Sequence, residues 1–451
     1  MTIPNIFKAY DIRGLVGSEL TKQFAFSTGV AFAKFLELER EPATVVIGED
    51  MRPSSPELAD AFSAGVTSQG MDVIRIGFAS TDMLYFAAGK LNLPGAMFTA
   101  SHNPAEYNGI KLCLSGARPI GKESGLLTIE KFVRDGVPVS MRPVGVESQR
   151  KMLDEYVDYL MSLVDLSNIR KLNIVIDAGN GMAGHTAPAV FSRINAQLTE
   201  MYFELDGTFP NHEANPIDEE NLKDLKKMVK KKGADIGLAF DGDADRCFLV
   251  DEKGNAVNPS LLTALIADRE LKKKPGASII YNLISSRAVR EVVTENGGKA
   301  LRSRVGHSYI KALMAESGAI FGGEHSGHFY FAEFWRADSG MLAALYAIAA
   351  LGQSEQTLSE LLKPYARYFA SGEINSKVSD SKATMAEIKA LYSVKPGVTT
   401  DELDGLTVDG DDWWFNVRAS NTEPLLRLNV EAKTPAQMEG LRDEVLAVIR
   451  R

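Results

Sequence analysis

Cysteine is scarce. Only Cys113 and Cys247 occur among 451 residues, too few for a disulfide framework or an unaided zinc cage, so a reduced, cytoplasmic setting is expected. Long apolar runs are missing too. The longest, Met341 to Leu351, is about half of the ~20 residues a membrane span needs, and it predicts a buried helix. The opening MTIPNIFKAYDIRG has no basic segment followed by an apolar one, so no secretory signal is expected. Nor is there an excess of positive charge. Fifty Lys and Arg against 59 Asp and Glu leave a net charge of −9, which argues against broad nucleic-acid binding and leaves room for a local basic pocket. Neither a membrane nor a nucleic acid is expected as a partner.

What is present is ordinary globular composition in a chain too long for one core, which predicts two to four domains. One pattern appears three times: an apolar strand, a polar turn, an amphipathic helix, and another strand. The copies are TVVIGEDMRPSSPELADAFSAGVTSQGMDVIRIG, LNIVIDAGNGMAGHTAPAVFSRI and ASIIYNLISSRAVREVVTENGGKALRS. They share pattern and little identity, so a repeated βαβ topology is predicted. In the first, Ser55 is the expected N-cap and Pro56 the first helical residue. Breaks fall at Arg134 to Val146, near Asp251 to Asn258, and between Leu362 and Ser376. Beyond the last, Leu426, Leu428 and Val430 alternate with Arg427, Asn429 and Glu431, the period of a half-buried strand. A closing helix opens at Thr434-Pro435 with Met438, Leu441, Val445 and Ile449 on one face. The expected fold is α/β: three similar mixed α/β domains, 1–148, 149–252 and 253–365, and a C-terminal α+β domain, 366–451.

Four loops carry candidate chemistry. In TASHNPAEYNGIK, Ser101 follows an apolar strand and sits where its hydroxyl can be exposed. The plain alternative is a turn or helix cap. The stretch T-A-S-H-N does not match the G-x-S-x-G elbow of hydrolases. Adjacent Ser101 and His102 are expected to face apart, so phosphate suits the serine better than a serine–histidine pair, with His102 and Lys111 as nearby cationic or acid/base groups. In DGDADR, Asp241, Asp243 and Asp245 crowd three carboxylates between two strands. Two such charges ~4 Å apart repel by ~4 kcal/mol at an effective dielectric of ~20. Mg²⁺ or Ca²⁺ relieves this; an exposed acidic hairpin tip is the other reading. An EF-hand is excluded because Arg246 stands where its loop needs glycine. GGEHSGH offers Glu324 and Ser326 to sugar hydroxyls. RASNTEP offers the fork of Arg418 and the short donors Ser420, Asn421 and Thr422 to a phosphate dianion.

Taken together and in this order, FKAYDIRG, TASHNP, DGDADR, GEHSGH and RASNTEP resemble the α-D-phosphohexomutase superfamily, and within it the bacterial phosphomannomutase/phosphoglucomutase group. GEDMRPSS, DAGNGMAG and DGTFPNHEANP are secondary signatures of the same kind. The resemblance covers essentially the whole chain. It implies four domains around a central active-site cleft, each contributing one loop. Ser101 would be a phosphoserine whose phosphate helps Asp241, Asp243 and Asp245 bind Mg²⁺, with Arg246 beside them. Glu324 and Ser326 would hold the sugar, and Arg418, Ser420, Asn421 and Thr422 the non-reacting phosphate. Tyr10, Arg13, His307 and His328 would complete the pocket, with Arg13 among the catalytic groups, and Lys111 and His102 are the acid/base candidates. The implied reaction interconverts hexose 1-phosphate and hexose 6-phosphate, of mannose and also glucose. It passes through a hexose 1,6-bisphosphate that turns end over end, with glucose 1,6-bisphosphate or mannose 1,6-bisphosphate as activator. Hexose phosphates would be the only partners of a monomer or homodimer.

Two departures stand out. Where many relatives carry a lysine in the third domain's first strand–helix turn, this chain has only Arg287, and His325 replaces a common methionine. S-N-T-E-P favours the mannose/glucose branch over phosphoglucosamine mutases, and GEHSGH separates the chain from glucose-only enzymes. A non-catalytic sugar-phosphate-binding protein and a metal-dependent phosphatase are the readings from other classes.

Overall fold

The computed structural model describes residues 6–419 and 425–451, with the backbone alone of His307. The chain divides into two compact units, Met1–Pro259 with Ser326–Leu361, and Ser260–His325 with Leu362–Arg451.

Among the described residues, the first unit holds two mixed sheets. In one, Ile12–Leu15, Tyr107–Leu114, Gly95–Phe98, Thr44–Glu49, Asp72–Phe78 and Glu147–Gln149 lie side by side in that order, with Arg118–Pro119 added beside Tyr107–Leu114. In the other the order is Ala256–Val257, Cys247–Val250, Ile236–Phe240, Leu172–Asp177, Ala196–Met201. The first two βαβ repeats form as expected: Thr44–Glu49 runs parallel to Asp72–Phe78, and Leu172–Asp177 parallel to Ala196–Met201. Val45, Val46 and Ile47 are all fully buried. A continuous apolar run of this kind marks a strand covered on both faces, as parallel strands are. The helices Lys22–Leu38 and Ser55–Ser68 supply Phe24, Phe32 and Phe62 to the core over this sheet.

The apolar run forms the helix Gly340–Gly352, every residue of it buried. Ser339 caps it by accepting the N–H of Leu342 at 3.0 Å. No described helix is long and apolar enough to cross a membrane.

In the second unit, the third repeat places Ser278–Asn282 parallel to both Lys299–Ser303 and Phe321–Gly323. The C-terminal part is antiparallel throughout, in the order Phe369–Lys377, Leu425–Ala432, Trp413–Ala419, Leu406–Asp409, Thr399–Asp401. The helix Pro435–Ile449, capped by Thr434, buries Met438, Leu441, Val445, Val448 and Ile449 against it.

Two local expectations change. The N-cap of the second helix is Ser54 and the helix begins at Ser55, because Ser55 Oγ is committed to Asp50 Oδ1 at 2.6 Å. Leu425–Ala432 is buried on both faces at its far end, where Asn429 and Glu431 are also inside. Glu431 lies inside because Trp414 Nε1 donates to it at 2.5 Å and the Arg287 N–H at 2.9 Å.

Candidate active site

The strand Gly95–Phe98 runs into the TASHNP turn, where Ser101 adopts a left-handed backbone with φ +51°. A non-glycine residue pays on the order of 1–3 kcal/mol for such a conformation, which persists only where surroundings hold it. Here the Ser101 N–H donates to Thr99 Oγ1 at 2.9 Å, and the side chain is almost fully buried. The Ser101 hydroxyl donates to Asp241 Oδ2 at 2.7 Å. His102 Nδ1 lies 3.2 Å from Ser101 Oγ. This corrects the expectation that the adjacent pair faces apart: the positive φ folds the chain so that both side chains turn to one side. Arg246 and then burial hold the His102 pKa well below its ordinary value, so the imidazole is neutral.

The aspartate loop joins the antiparallel strands Ile236–Phe240 and Cys247–Val250. It is no exposed hairpin tip, since Asp241, Asp243 and Asp245 are all buried, and each offers an oxygen within 4.8 Å of the others. Two cations hold them together. Lys111, on Tyr107–Leu114, donates to Asp243 Oδ2 at 2.6 Å and Asp245 Oδ2 at 2.7 Å. Arg246 Nε donates to Asp241 Oδ2 at 2.8 Å. Burial pushes Asp241 upward, and the Arg246 charge only partly opposes it. Burial acts on Asp243 as well, but Lys111 more than offsets it and holds that carboxyl below the usual range. Among the described residues, Oδ1 of Asp243 and Oδ1 of Asp245 are buried with no hydrogen-bond donor. Buried carboxylates that each bring an oxygen within 4.8 Å of the others, two of them with an oxygen short of a donor, fit a hard divalent cation such as Mg²⁺.

Arg13 donates through Nη1 to Asn103 Oδ1 of the serine turn and pairs with Asp11. Tyr10 is half-buried on the segment before it, and Ser326 is half-buried as well. His328 Nδ1 meets Asp338 Oδ2 at 2.8 Å and Asp245 Oδ1 at 3.7 Å, and its backbone bridges to Arg246. The first unit thus brings together Ser101, His102, Lys111, Arg13, the three aspartates, Arg246 and His328.

In the second unit, Glu324 is buried and accepts the Gly306 N–H at 3.1 Å and Asn282 Nδ2 at 3.3 Å. Burial lowers the pKa of His325 beside it. Arg418 and Arg427 face each other across adjacent strands and share Glu373 at 3.4 Å each. Arg287 turns away from any ligand role: its buried guanidinium donates to Asp409, to the carbonyls of Gly410 and Asp411, and to Trp413 O. Ser420, Asn421 and Thr422 lie outside the described residues, as does the side chain of His307.

Sequence reasoning missed Asp338, Arg52 and Asp82. Asp338 carries no local motif; only proximity to a histidine ten residues earlier reveals it. Arg52 sits in GEDMRPSS, whose residue pattern was visible without its purpose.

Models of four domains match in order: phosphoglucomutase/phosphomannomutase alpha/beta/alpha domain I over residues 4–136, domain II over 154–254, domain III over 258–368, and the C-terminal domain over 373–448. A phosphomannomutase of Salmonella typhimurium is 39% identical over 458 residues, covering 100% of this chain and 99% of the relative. A protein of Xanthomonas campestris pv. campestris named for phosphohexose mutases is 40% identical over 453 residues, with both chains covered in full. The crystal structure of a phosphoglucomutase/phosphomannomutase family protein from Burkholderia thailandensis superposes with a TM-score of 0.90 at 32% identity, covering 98% of this chain and 96% of that one. With all four domains in order and full-length relatives at this identity, the chain belongs to the phosphoglucomutase/phosphomannomutase family.

Proposed function

We propose that this chain interconverts mannose 1-phosphate and mannose 6-phosphate, with glucose phosphates as further substrates, through phospho-Ser101 and a hexose 1,6-bisphosphate. As a family member it is an intramolecular phosphotransferase of hexose phosphates. The names of its full-length relatives support mannose. The observation that carries the phosphoserine reading is the Ser101 hydroxyl held 2.7 Å from Asp241 inside a buried cluster of three aspartates.

In the forward half-reaction a sugar hydroxyl oxygen bonds to the phosphorus on Ser101 as the Oγ–P bond breaks. The sugar hydroxyl gives up its proton to an enzyme base, and Oγ takes up a proton. The bisphosphate reorients, and the same exchange in reverse returns its other phosphoryl group to Oγ. Asp241 Oδ2, 2.7 Å from Oγ, is the atom where that proton can rest, and His102 Nδ1 lies 3.2 Å from Oγ. Lys111 and Arg246 supply positive charge where charge spreads over the transferring oxygens, which is the main source of catalysis in phosphoryl transfer.

A phosphoryl group on Oγ adds about −1.5 to −2 charge beside three carboxylates. Asp241, Asp243 and Asp245 would hold Mg²⁺, and the ion when bound supplies neutralisation of that charge and polarisation of the phosphoryl oxygens. Arg13 and His328 act at the reacting end, Tyr10 and His307 serve substrate binding, and Glu324 and Ser326 grip sugar hydroxyls. Arg418 with Ser420, Asn421 and Thr422 takes the non-reacting phosphate, and Arg427 adds a second cation there. Glucose or mannose 1,6-bisphosphate restores phospho-Ser101 whenever it is lost.

The test is a mutase assay with Mg²⁺ and a trace of glucose 1,6-bisphosphate, run in parallel on mannose, glucose and glucosamine 1-phosphates. Mannose 1-phosphate is expected to isomerise, and Ser101→Ala to lose at least ~10³-fold, the scale on which removing a nucleophile acts. Undiminished turnover in Ser101→Ala would overturn the reading, and preference for glucosamine 1-phosphate would move the chain to another branch.

A further inference from the structure

We infer that Arg52 is a positioning residue that holds the Ser101 turn, and with it the nucleophile, in register with the aspartate loop; the inference rests on Ser101 being the phosphorylated group.

Arg52 is the largest charged side chain fully buried among the described residues, 1% exposed, and no substrate contact is open to it. Its guanidinium is spent on backbone. Nη2 donates to the carbonyls of Ser101 at 2.9 Å and Asn103 at 2.7 Å, and Nη1 to those of Pro104 and Tyr107, each at 2.8 Å. These four carbonyls belong to one turn that leaves the strand Gly95–Phe98 and returns in Tyr107–Leu114. A turn this tight cannot pair all its carbonyls in a ladder; Pro104 O also accepts the Tyr107 N–H at 3.1 Å, and a buried carbonyl left without a donor costs about 1–3 kcal/mol. A planar fork with five N–H groups reaches all four; an ammonium has three donors radiating from one point and cannot.

Arg52 is itself fixed from two sides. Asp50 accepts its N–H at 3.0 Å and lies 3.3 Å from its Nε. The ring of Phe209 covers the guanidinium with its centroid 5.1 Å away. Gly207 lets that segment close, since a Cβ there would lie 2.5 Å from Arg52 Cα. Two signatures that the catalytic reading left unused, GEDMRPSS and DGTFPNHEANP, therefore meet at one side chain, and that side chain grips the third, TASHNP.

The grip reaches the chemistry through Ser101 itself. The carbonyl that Nη2 holds is the one packed against Gly242 in the aspartate loop. On the opposite side of the same residue, Oγ meets Asp241. With the left-handed φ of Ser101, releasing the carbonyl lets the residue relax and the hydroxyl leave its line to the phosphoryl group. A misplacement of ~1 Å costs on the order of 10²-fold in rate.

A loss of correctly folded protein also lowers turnover, so the experiment reads a rate constant per active site. Dephosphorylated protein is mixed with Mg²⁺ and glucose 1,6-bisphosphate, and phosphate on Ser101 is followed by intact mass through a single turnover. Arg52→Lys is expected to slow the transfer ~10²-fold, with the bisphosphate concentration for half-maximal rate changed less than about threefold. Phe209→Leu, which leaves every hydrogen bond in place and removes the ring over the cation, is expected to slow it about threefold, the scale of a cation–π contact. It decides the matter alone if Arg52→Lys does not fold. Rate constants within twofold of the unaltered protein, with loss confined to amplitude or melting temperature, would make Arg52 merely structural and overturn the inference. Absence of phosphoserine in the unaltered protein would instead remove the reading beneath it.

Discussion

Asp82 is a buried carboxyl that receives three hydroxyls: Ser80, Tyr156 Oη at 2.7 Å and Ser339 Oγ at 2.6 Å. Ser80 and Ser339 are also the N-caps of Thr81–Leu91 and Gly340–Gly352, so one acid orients the starts of two helices. Burial is the main reason its pKa rises to about 6, and the three hydroxyls only moderate the shift. Because the folded value lies above the ordinary 3.8, folding favours the protonated acid. The stabilisation from this group is complete below pH ~4 and disappears as pH rises through ~6. Relative to Asp82→Asn, the unaltered protein should gain about 1 kcal/mol between pH 7 and pH 5. Denaturant unfolding of both proteins at each pH measures it, and parallel pH profiles would show that Asp82 is not the group responsible. At this same scale the sequence revealed the candidate reactive residues better than their supports. Ser101 and the three aspartates stand in compact motifs, whereas Asp82, Arg52 and Asp338 act through partners distant in the chain, which no local spacing encodes.

At the scale of elements, two loops from different sheets are in backbone contact. The Gly242 N-terminal to Asp243 has no side chain because a Cβ there would stand 2.4 Å from the carbonyl oxygen of Ser101. The opposing atom is backbone, so it cannot swing aside as a long side chain does. Gly242→Ala should therefore push the serine turn away from the aspartates, lowering mutase turnover at least ~10-fold through misplacement and stability by about 1–3 kcal/mol through overpacking. Turnover and denaturant midpoint measured on the same preparation test this; native turnover would mean that the two loops slide without consequence. The βαβ repeats were legible because apolar runs, caps and turns repeat at short range. The cap of the second helix was misplaced by one residue because Ser55 answers to Asp50, and the strand Leu425–Ala432 buried Glu431 because Trp414 Nε1 and the Arg287 N–H donate to it.

For the molecule as a whole, the four family domains are matched in order along one chain, while the compact units number two and are discontinuous in sequence. Within the second unit Arg287 joins the helix Arg287–Glu295 to the turn before Trp413–Ala419 through Asp409 and three carbonyls. Losing a buried paired cation typically costs 3–5 kcal/mol. Arg287→Met should lower stability by about that amount, and hydrogen exchange should accelerate across Trp413–Ala419 and Leu425–Ala432 while the core of the first unit keeps its protection. Unchanged exchange in those strands would count against the joint. The lysine absent from this turn thus leaves behind a structural arginine, a role that composition alone did not reveal.

The sequence alone determined the α/β class, the three repeats, the antiparallel end and the loops of the candidate site, because hydrophobic period, caps and clustered carboxylates act over a few residues. Only the tertiary structure decided that Ser101 points at Asp241, that Lys111 sits between Asp243 and Asp245, and that Arg52 holds the serine turn. Those contacts join residues 140, 132, 134 and 49 positions apart. At such separations the side chains meet only after the sheets have packed, and the packing, not local propensity, sets the distance at which their charges act.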